Sequence, residues 1–353
     1  MALRRFRAPG RVNLMGDHTD YNEGFVLPMA IDRECVVTAT RRDDGRVHAR
    51  SRGETADVDA AGADEPSAVV PEWGRYIGGV VRALAARGRA PVGIDAEIES
   101  SVPAGSGLSS SAAFEVAVAL ALCDAGALTL EATEVARACQ EAERLATGVP
   151  SGIMDQLVSV AGVAGAALLI DCRTLDVERV PLPDGIAVIA VHSGMPRTLE
   201  TSAYAERRAA CEAAARRLGL RALRDATLDQ VSGDPLARHV VTEDARVLET
   251  AAALRDGDCE RAGALFSASH ASLRDDFRVS TRELDALVEE LERAGAYGAR
   301  LTGAGFGGAV VAICASDRAD EIGATAAAAY AGRTQRDPTV FVCTAVDGAG
   351  AVA

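Results

Sequence analysis

The clearest pattern in the chain lies between residues 92 and 125, where the spacing of apolar positions changes. Over residues 92–100 apolar side chains alternate with acidic ones, which is typical of a half-buried β-strand. Residues 109–125 are rich in Ala, Val and Leu, and we expect a long apolar helix there. The two elements are joined by Val102-Pro-Ala-Gly-Ser-Gly-Leu108. The sequence therefore predicts a strand, a glycine turn and a helix in succession.

The first half of the chain carries further elements around this one. Short strands over residues 5–33 flank a polar run from Gly16 to Gly24, and residues 34–50 predict strands around the turn Asp43-Asp44-Gly45. Residues 53–68 are acidic and short of large apolar side chains, so we expect a surface loop. Three more helices are predicted, at residues 72–87, 131–147 and 152–160, with Ser151 as the N-cap of the last.

The second half alternates helices with short apolar strands. Strands are expected at 166–171, 186–191 and 339–345, and helices at 201–218, 228–293 with breaks, and 320–331. Residues 299–314 read as strand, glycine loop and strand, so they are not a dinucleotide fingerprint, in which a helix follows the glycines. Such a bend suggests close approach to a ligand or to the first glycine turn. The whole pattern predicts a mixed α+β fold.

The composition narrows the possible functions. The net charge of −14 argues against non-specific nucleic-acid binding. The sequence contains no lysine, which excludes Walker-A nucleoside triphosphatases, protein kinases and Schiff-base chemistry. No apolar run is long enough to span a bilayer, and no signal core follows the N-terminus, so we expect a cytoplasmic protein. The eight scattered cysteines suggest reduced, buried thiols and no zinc site.

The glycine turn before the apolar helix is a candidate phosphate site. Gly105 and Gly107 let the backbone approach a ligand, and the helix that opens at Ser109, Ser110 and Ser111 presents unpaired N–H groups and a positive dipole. An ordinary strand-to-helix turn with serine caps explains the segment equally well on its own. Asp155 lies in the first turn of the helix predicted at 152–160. On its own it is a weak candidate for a functional residue, because acidic residues are common at helix N-termini.

The polar run offers a second candidate site. It places Asp17, His18 and Asp20 close to Tyr21, Asn22 and Glu23. Carboxylates beside a histidine suit the vicinal hydroxyls of a sugar, since each carboxylate accepts two O–H bonds. A solvated loop is the alternative, and a zinc site is a weaker one because the spacing is wrong for a helical motif. For Trp73, the sole tryptophan, the sequence leaves two interpretations: stacking on a nucleobase, or packing against neighbouring side chains.

Three motifs in this order resemble the signatures of the GHMP small-molecule kinases. They are Gly10-Arg-Val-Asn-Leu-Met-Gly-Asp-His-Thr-Asp-Tyr21, Pro103-Ala-Gly-Ser-Gly-Leu-Ser-Ser-Ser-Ala112 and Leu301-Thr-Gly-Ala-Gly-Phe-Gly-Gly308. The first is similar to the galactokinase signature, and further matches lie at residues 148–156, 202–208 and 269–277. The resemblance covers nearly the whole chain.

This resemblance implies a two-lobed α+β architecture with the active site in the cleft between the lobes. The N-terminal, ribosomal-S5-like lobe would span residues 1–180 and carry the sugar signature and the phosphate loop. The C-terminal, ferredoxin-like lobe would span residues 181–353 and carry the third glycine motif. The resemblance does not fix the oligomeric state, and we expect a monomer.

The same resemblance implies ATP- and Mg²⁺-dependent phosphorylation of the anomeric hydroxyl of D-galactose. Asp155 resembles the catalytic base and Arg11 its charge-stabilising partner, while Ser111 and Glu143 resemble the magnesium contacts. The expected sugar-binding residues are Asp17, His18, Thr19, Asp20, Gly152 and Tyr204. The expected nucleotide-binding residues are Ser51, Trp73, Gly105, Ser106, Gly107, Leu108, Ser109, Ser110 and Ser111.

One position departs from the galactokinase pattern, which usually has Glu where this chain has Asp17. Because Asp is one methylene shorter, kinases for N-acetylgalactosamine or L-arabinose stay open as alternatives. A galactose- and ATP-responsive regulator without turnover is a further alternative, although Asp155 and Arg11 are both present.

Overall fold

The computed structural model describes residues 3–195 and 200–352, with the backbone alone at residues 200–202. Its architecture is built from two β-sheets, each covered by helices. The eight-stranded sheet runs in the order β12-β1-β2-β5-β3-β4, and β6 pairs with both β2 and β7. Its strands are β1 Arg4–Met15, β2 Phe25–Arg42, β3 Arg46–Ser51, β4 Glu54–Asp59, β5 Gly93–Ser100, β6 Ala166–Asp171, β7 Val177–Pro181 and β12 Gly350–Val352.

Four helices accompany the first sheet: α1 Gly74–Ala85, α2 Ser110–Ala125, α3 Ala132–Thr147 and α4 Met154–Ala161. Helix α2 is apolar on every side, and such a helix is stable only when surrounded by protein. It packs against β1 and β2 and is flanked by α1, α3 and α4. This central position fixes the start of α2, and the turn before it is buried from Ser106 to Ser109 but exposed at Gly105.

The second sheet has four antiparallel strands in the order β11-β8-β10-β9. They are β8 Ile186–His192, β9 Gly298–Thr302, β10 Ala309–Ala315 and β11 Thr339–Cys343. The remaining helices are α5 Glu200–Arg217, α6 Leu228–Val231, α7 Pro235–Arg255, α8 Cys259–Asp275, α9 Arg282–Ala294 and α10 Ala319–Thr334. A second apolar core, with members on β8–β10, α7, α9 and α10, lies around this sheet.

Most predicted elements are confirmed, including the alternating strand β5, the apolar helix α2 and the strand–glycine loop–strand formed by β9 and β10. The mixed α+β class is confirmed as well. The chain passes from the first sheet to the second between β7 and β8, but β12 returns to the first sheet and pairs with β1. The division of the chain at residue 180 therefore stays a prediction.

Some local predictions are wrong. Residues 53–68 are not only a loop, because Glu54–Asp59 forms strand β4 and buries Ala56 and Val58. The strands beside the polar run are long, with 12 and 18 residues. Ser151 does not cap a helix, since α4 begins only at Met154 and the Ser151 hydroxyl donates to Glu143. Strands β7 and β12 were not predicted.

The cysteines behave as their apolar surroundings suggest. All eight are free thiols, and the four singled out by the sequence, Cys35, Cys123, Cys314 and Cys343, are buried. Across residues 3–195 and 200–352, no helix combines the length and apolar character that a membrane span requires.

Candidate active site

A cleft of about 490 Å³ brings the sequence motifs together. Both parts of the chain contribute to it: the segment after β1, the turn before α2, and helices α3 and α4 from one side, and helix α5 and the β9–β10 turn from the other. The predicted site residues that line it are Arg11, Asp17, His18, Asp20, Gly105, Gly107, Ser109, Ser110, Ser111, Glu143, Gly152, Asp155 and Tyr204.

Arg11 and Asp155 form the centre of the cleft, although 144 positions separate them in sequence. Arg11 Nε donates to Asp155 Oδ1 at 2.8 Å and Arg11 Nη2 donates to Asp155 Oδ2 at 2.7 Å, a two-point ion pair of fixed geometry. Arg11 Nη1 donates to the carbonyl oxygen of Gly107 at 2.6 Å. The guanidinium is buried, whereas the Asp155 side chain keeps 30% of its surface exposed. The pair therefore joins the turn before α2 to a carboxylate that faces the cleft.

The turn itself has the backbone that its glycines permit. Gly105 and Gly107 both have positive φ, a conformation that side chains with a Cβ atom rarely adopt. Ser109 precedes α2 in the left-handed region as well and does not cap the helix with its side chain. Its hydroxyl instead donates to Asp155 Oδ2. The segment is thus shaped for something other than helix capping, which favours the phosphate-site interpretation over an ordinary turn.

Ser111 and Glu143 form the candidate cation site. Ser111 Oγ donates to Glu143 Oε1 at 2.9 Å, and Oε2 of the same carboxylate accepts from Ser151 at 2.8 Å and Gln156 at 2.9 Å. Burial, and then the charge of Asp155, raise the pKa of Glu143. A carboxylate and a hydroxyl facing a polar cleft are hard oxygen donors of the kind that Mg²⁺ accepts, so these residues fit that ion.

The other end of the cleft is polar and aromatic. Asp20 and Tyr204 line it together with His18, whose Nδ1 lies 2.9 Å from the Tyr21 hydroxyl and whose ring centroid is 5.8 Å from that of Tyr204. Burial lowers the pKa of His18 to about 3 and keeps its ring neutral. Burial, and then the neighbouring charge of Asp155, raise the pKa of Asp20 to about 6. Such a mixture of acceptors and ring faces can bind a molecule rich in hydroxyls.

The Asp20 carboxylate lies so close to Gly152 that there is no room for a side chain at residue 152. A Cβ atom added at Gly152 would lie 1.6 Å from Asp20 Oδ2. The resemblance implies that Asp20 binds the sugar, so we expect Gly152→Ala, which would displace the Asp20 carboxylate, to raise the KM for the sugar by roughly tenfold or more, as for the loss of one charge-assisted hydrogen bond. Steady-state kinetics with sugar and nucleotide varied in turn would measure this.

Gly332→Ala is the matched control, because Gly332 lies in α10 with open space around its Cα and a helical backbone. It should leave both KM values unchanged. A Gly152→Ala enzyme with the wild-type KM for the sugar would show that Asp20 does not depend on this glycine.

Five predicted residues lie outside the cleft lining. Ser51 Oγ donates to the carbonyl oxygen of Ile98, and the indole N–H of Trp73 donates to Glu54 at 3.0 Å while its ring meets Phe114 edge-on. Thr19 is buried, with its hydroxyl 2.8 Å from the carbonyl oxygen of Gly16. Ser106 and Leu108 are buried within the turn. The binding roles expected for these five residues stay predictions.

Tyr76 and Arg75 line the cleft and were not singled out by the sequence. Both belong to α1, whose amphipathic pattern was recognised, but the pattern does not say which part of the helix borders a cavity. Among the residues that the structure describes, Glu72 and Arg75 complete a charged lining of five carboxylates and two guanidiniums: Asp17, Asp20, Glu72, Glu143, Asp155, Arg11 and Arg75. A polyphosphate entering so acidic a cleft needs an accompanying cation.

Three family descriptions match the chain. "Galactokinase galactose-binding signature" covers residues 3–41, "GHMP kinases N terminal domain" residues 75–163, and "GHMP kinases C terminal" residues 250–332. The galactokinase of Roseiflexus sp. (strain RS-1) is 47% identical over 98% of this chain and 92% of its own length.

Solved structures also match this chain. The galactokinase of Lactococcus lactis, crystallised with galactose, superposes with a TM-score of 0.92 at 32% identity, over 99% of this chain and 95% of its own. The mevalonate kinase of Methanococcus jannaschii, at 17% identity and a TM-score of 0.71 over 97% and 98% of the two chains, shares the fold.

The two-sheet fold is that of the GHMP small-molecule kinases, as the resemblance of the three motifs indicated. Within that class, the chain belongs to the galactokinase family.

Proposed function

We propose that this protein transfers the γ-phosphoryl group of ATP to the anomeric hydroxyl of D-galactose, giving galactose 1-phosphate and ADP. The observation that carries the proposal is the Arg11–Asp155 pair, which lies directly against the turn at Gly105–Ser111. A phosphate bound at that turn and a hydroxyl bound at Asp155 would be neighbours. Phosphoryl transfer depends mainly on such positioning and on charge neutralisation.

Asp155 is proposed to orient the anomeric hydroxyl and to accept its proton. The bond from the sugar oxygen to the γ-phosphorus forms while the bond from that phosphorus to the ADP oxygen breaks, and the hydroxyl proton passes to Asp155. Because the transition state is loose, the proton is transferred late. Arg11 and Ser109 hold the carboxylate in place during this step.

The negative charge on the phosphates is opposed by the start of α2 and by Arg11. Ser111 and Glu143 would hold Mg²⁺, which supplies further neutralisation when it is bound to ATP. The acidic lining of the cleft supports this role, because carboxylates outnumber the two guanidiniums among its described residues. ATP is proposed to bind toward the Tyr76 side and the sugar toward Asp17, His18, Asp20, Gly152 and Tyr204. Cytoplasmic location and a monomeric state stay predictions.

A coupled assay of ADP release tests the proposal. Purified protein is supplied with ATP, with or without Mg²⁺, and with galactose, N-acetylgalactosamine, L-arabinose or glucose. Galactose with Mg²⁺ is expected to give the highest kcat/KM. A preference for N-acetylgalactosamine or L-arabinose would identify that sugar as the substrate. These two sugars are specific alternatives because Asp17 stands in place of the usual Glu. The absence of ADP release with every sugar would favour a regulator.

Sugar binding is expected to weaken below neutral pH. Because the pKa of Asp20 is raised to about 6, its carboxylate loses charge as the pH falls through that value. A hydroxyl of the sugar donates better to the ionised form, so the Kd for galactose should rise roughly tenfold between pH 7.5 and pH 5. Calorimetric titration of the nucleotide-free protein measures it.

The Asp20→Asn variant is the control for this pH dependence. It should bind galactose weakly at both pH values, since the titrating group is gone. An equal Kd for the wild-type protein at pH 7.5 and pH 5 would rule out Asp20 as the group that governs sugar affinity.

A further inference from the structure

Arg300 is a fully buried arginine that contacts the sugar end of the cleft from the second sheet. It lies on β9, in a different part of the chain from Asp17, which follows β1. The two residues are 283 positions apart, and Arg300 Nη2 donates to Asp17 Oδ2 at 2.6 Å. The pairing has no role in the mechanism above, and a fully buried charge needs an explanation.

All five N–H groups of Arg300 have acceptors. Nε donates to Ser269 Oγ at 3.0 Å, and Nη1 donates to the carbonyl oxygens of Asn13 and Leu14 at 3.4 and 3.1 Å. Nη2 donates to Asp17 and, at 3.3 Å, to Glu243 Oε1. The planar guanidinium cannot shift without leaving some of these donors unpaired. Arg300 is therefore a rigid support for the backbone and the carboxylate that it touches.

Asp17 is held on its other oxygen as well. Oδ1 accepts from Asn13 Nδ2 at 3.1 Å and from the backbone N–H of Gly303 at 3.0 Å. With three donors already bound, a carboxylate retains about one further acceptor direction. Asp17 is 2% exposed and lines the cleft, so this remaining direction is the one available to a ligand.

The charges around Arg300 balance. Glu243, also fully buried, pairs with Arg246 at 2.7 Å, so two guanidiniums face two carboxylates. Glu243 Oε1 also accepts from the backbone N–H of Gly16, next to Asp17. The segment from Asn13 to Asp17 is thus bonded along its length to side chains of the second part of the chain. Both parts of the chain therefore donate hydrogen bonds to the Asp17 carboxylate.

We propose that Arg300 is a positioning residue for sugar recognition, which holds the short Asp17 side chain so that its free acceptor direction faces a galactose hydroxyl. The inference rests on the proposed function, because it takes Asp17 as a sugar ligand. It also gives a reason for the third glycine motif to adjoin the sugar site: Gly303 and Arg300 together set the orientation of one carboxylate.

Arg300→Lys is the test, because lysine keeps the charge and offers at most three donors in place of five. The KM for galactose is expected to rise roughly 10- to 100-fold, as for the loss of a charge-assisted hydrogen bond that orients a ligand group. The KM for ATP and kcat should stay within about threefold of wild type, since the phosphate turn is untouched.

Arg246→Lys is the matched control. Arg246 pairs with Glu243 in the same buried cluster, and in the described part of the chain no hydrogen bond joins it to Asp17. Because Arg246 is partly exposed and makes fewer side-chain bonds, its replacement should lower the melting temperature less than Arg300→Lys does, and the KM for galactose should stay within twofold of wild type. Equal increases in the KM for galactose in both variants would show that Arg300 acts only on stability.

A double variant distinguishes the remaining outcomes. If Arg300 acts through Asp17, adding Arg300→Lys to Asp17→Asn should not raise the KM for galactose further, whereas independent action would multiply the two effects. An unchanged KM in Arg300→Lys overturns the inference alone. Wild-type protein that neither binds nor phosphorylates galactose overturns the proposed function, and the inference with it.

Discussion

Replacing Asp155 with asparagine is expected to lower kcat by roughly 10²- to 10⁴-fold, the range over which a positioned acid or base acts. Asparagine has nearly the same shape and can still accept from Arg11, but it cannot take up the hydroxyl proton. The Kd for galactose should change little, because Asp17, Asp20 and the aromatic side chains remain. Stopped assays of ADP formation together with calorimetric titration of galactose separate the two quantities.

Asp171 provides a matched control for Asp155. It is another partly buried carboxylate paired at two points with an arginine, since Arg224 Nη2 donates to Asp171 Oδ2 at 2.7 Å and Nη1 donates to Oδ1. It does not line the cleft. Asp171→Asn should retain kcat within about threefold of wild type. Near-full kcat in Asp155→Asn, with normal sugar binding, would remove the assigned role of Asp155.

Replacing Arg11 with glutamine is the second change for which we expect a large effect. Arginines that oppose charge in phosphoryl-transfer transition states contribute roughly 10³-fold or more to kcat. Here the loss of the guanidinium would also release the Gly107 carbonyl and leave the Asp155 carboxylate held, among the described residues, by Ser109 alone. We therefore expect kcat to fall by at least about 10³-fold, with a smaller change in the Kd for galactose.

Arg11→Lys and Arg224→Gln complete this experiment. Lysine restores the charge without the two-point geometry, so Arg11→Lys should recover only part of kcat. Arg224→Gln breaks the comparable ion pair with Asp171, which lies outside the cleft. It also removes the hydrogen bond from Arg224 to the carbonyl oxygen of Glu23 at 2.8 Å. If Arg224→Gln lowered kcat as much as Arg11→Gln, general destabilisation would explain both.

The sequence predicted those features whose signals are local. The alternation over β5, the apolar composition of α2 and the glycines between them are readable because each element is defined by neighbouring residues. The composition of residues 53–68 concealed β4, since the side chains that this strand buries include the small Ala56. Strand β12 has three residues and is stabilised by pairing with β1 at the opposite end of the chain, a long-range contact without a local signal.

The residues of the candidate site also fall into two groups: those that a motif predicts and those that depend on packing. The motifs indicated that Arg11, Asp155 and the phosphate turn act together, and the structure places them in contact. Tyr76 was missed because the cavity border depends on how α1 packs. Arg300 was missed because its role depends on Asp17, and nothing in the spacing of two residues so far apart indicates that they pair.

A crystal structure with galactose and a non-hydrolysable ATP analogue bound together tests the central claim most directly. The anomeric hydroxyl should lie about 3 Å from the Asp155 carboxylate, in line with a γ-phosphate held at the turn Gly105–Ser111. A sugar bound with a different hydroxyl at Asp155, or a nucleotide whose γ-phosphate lies away from that turn, would contradict it.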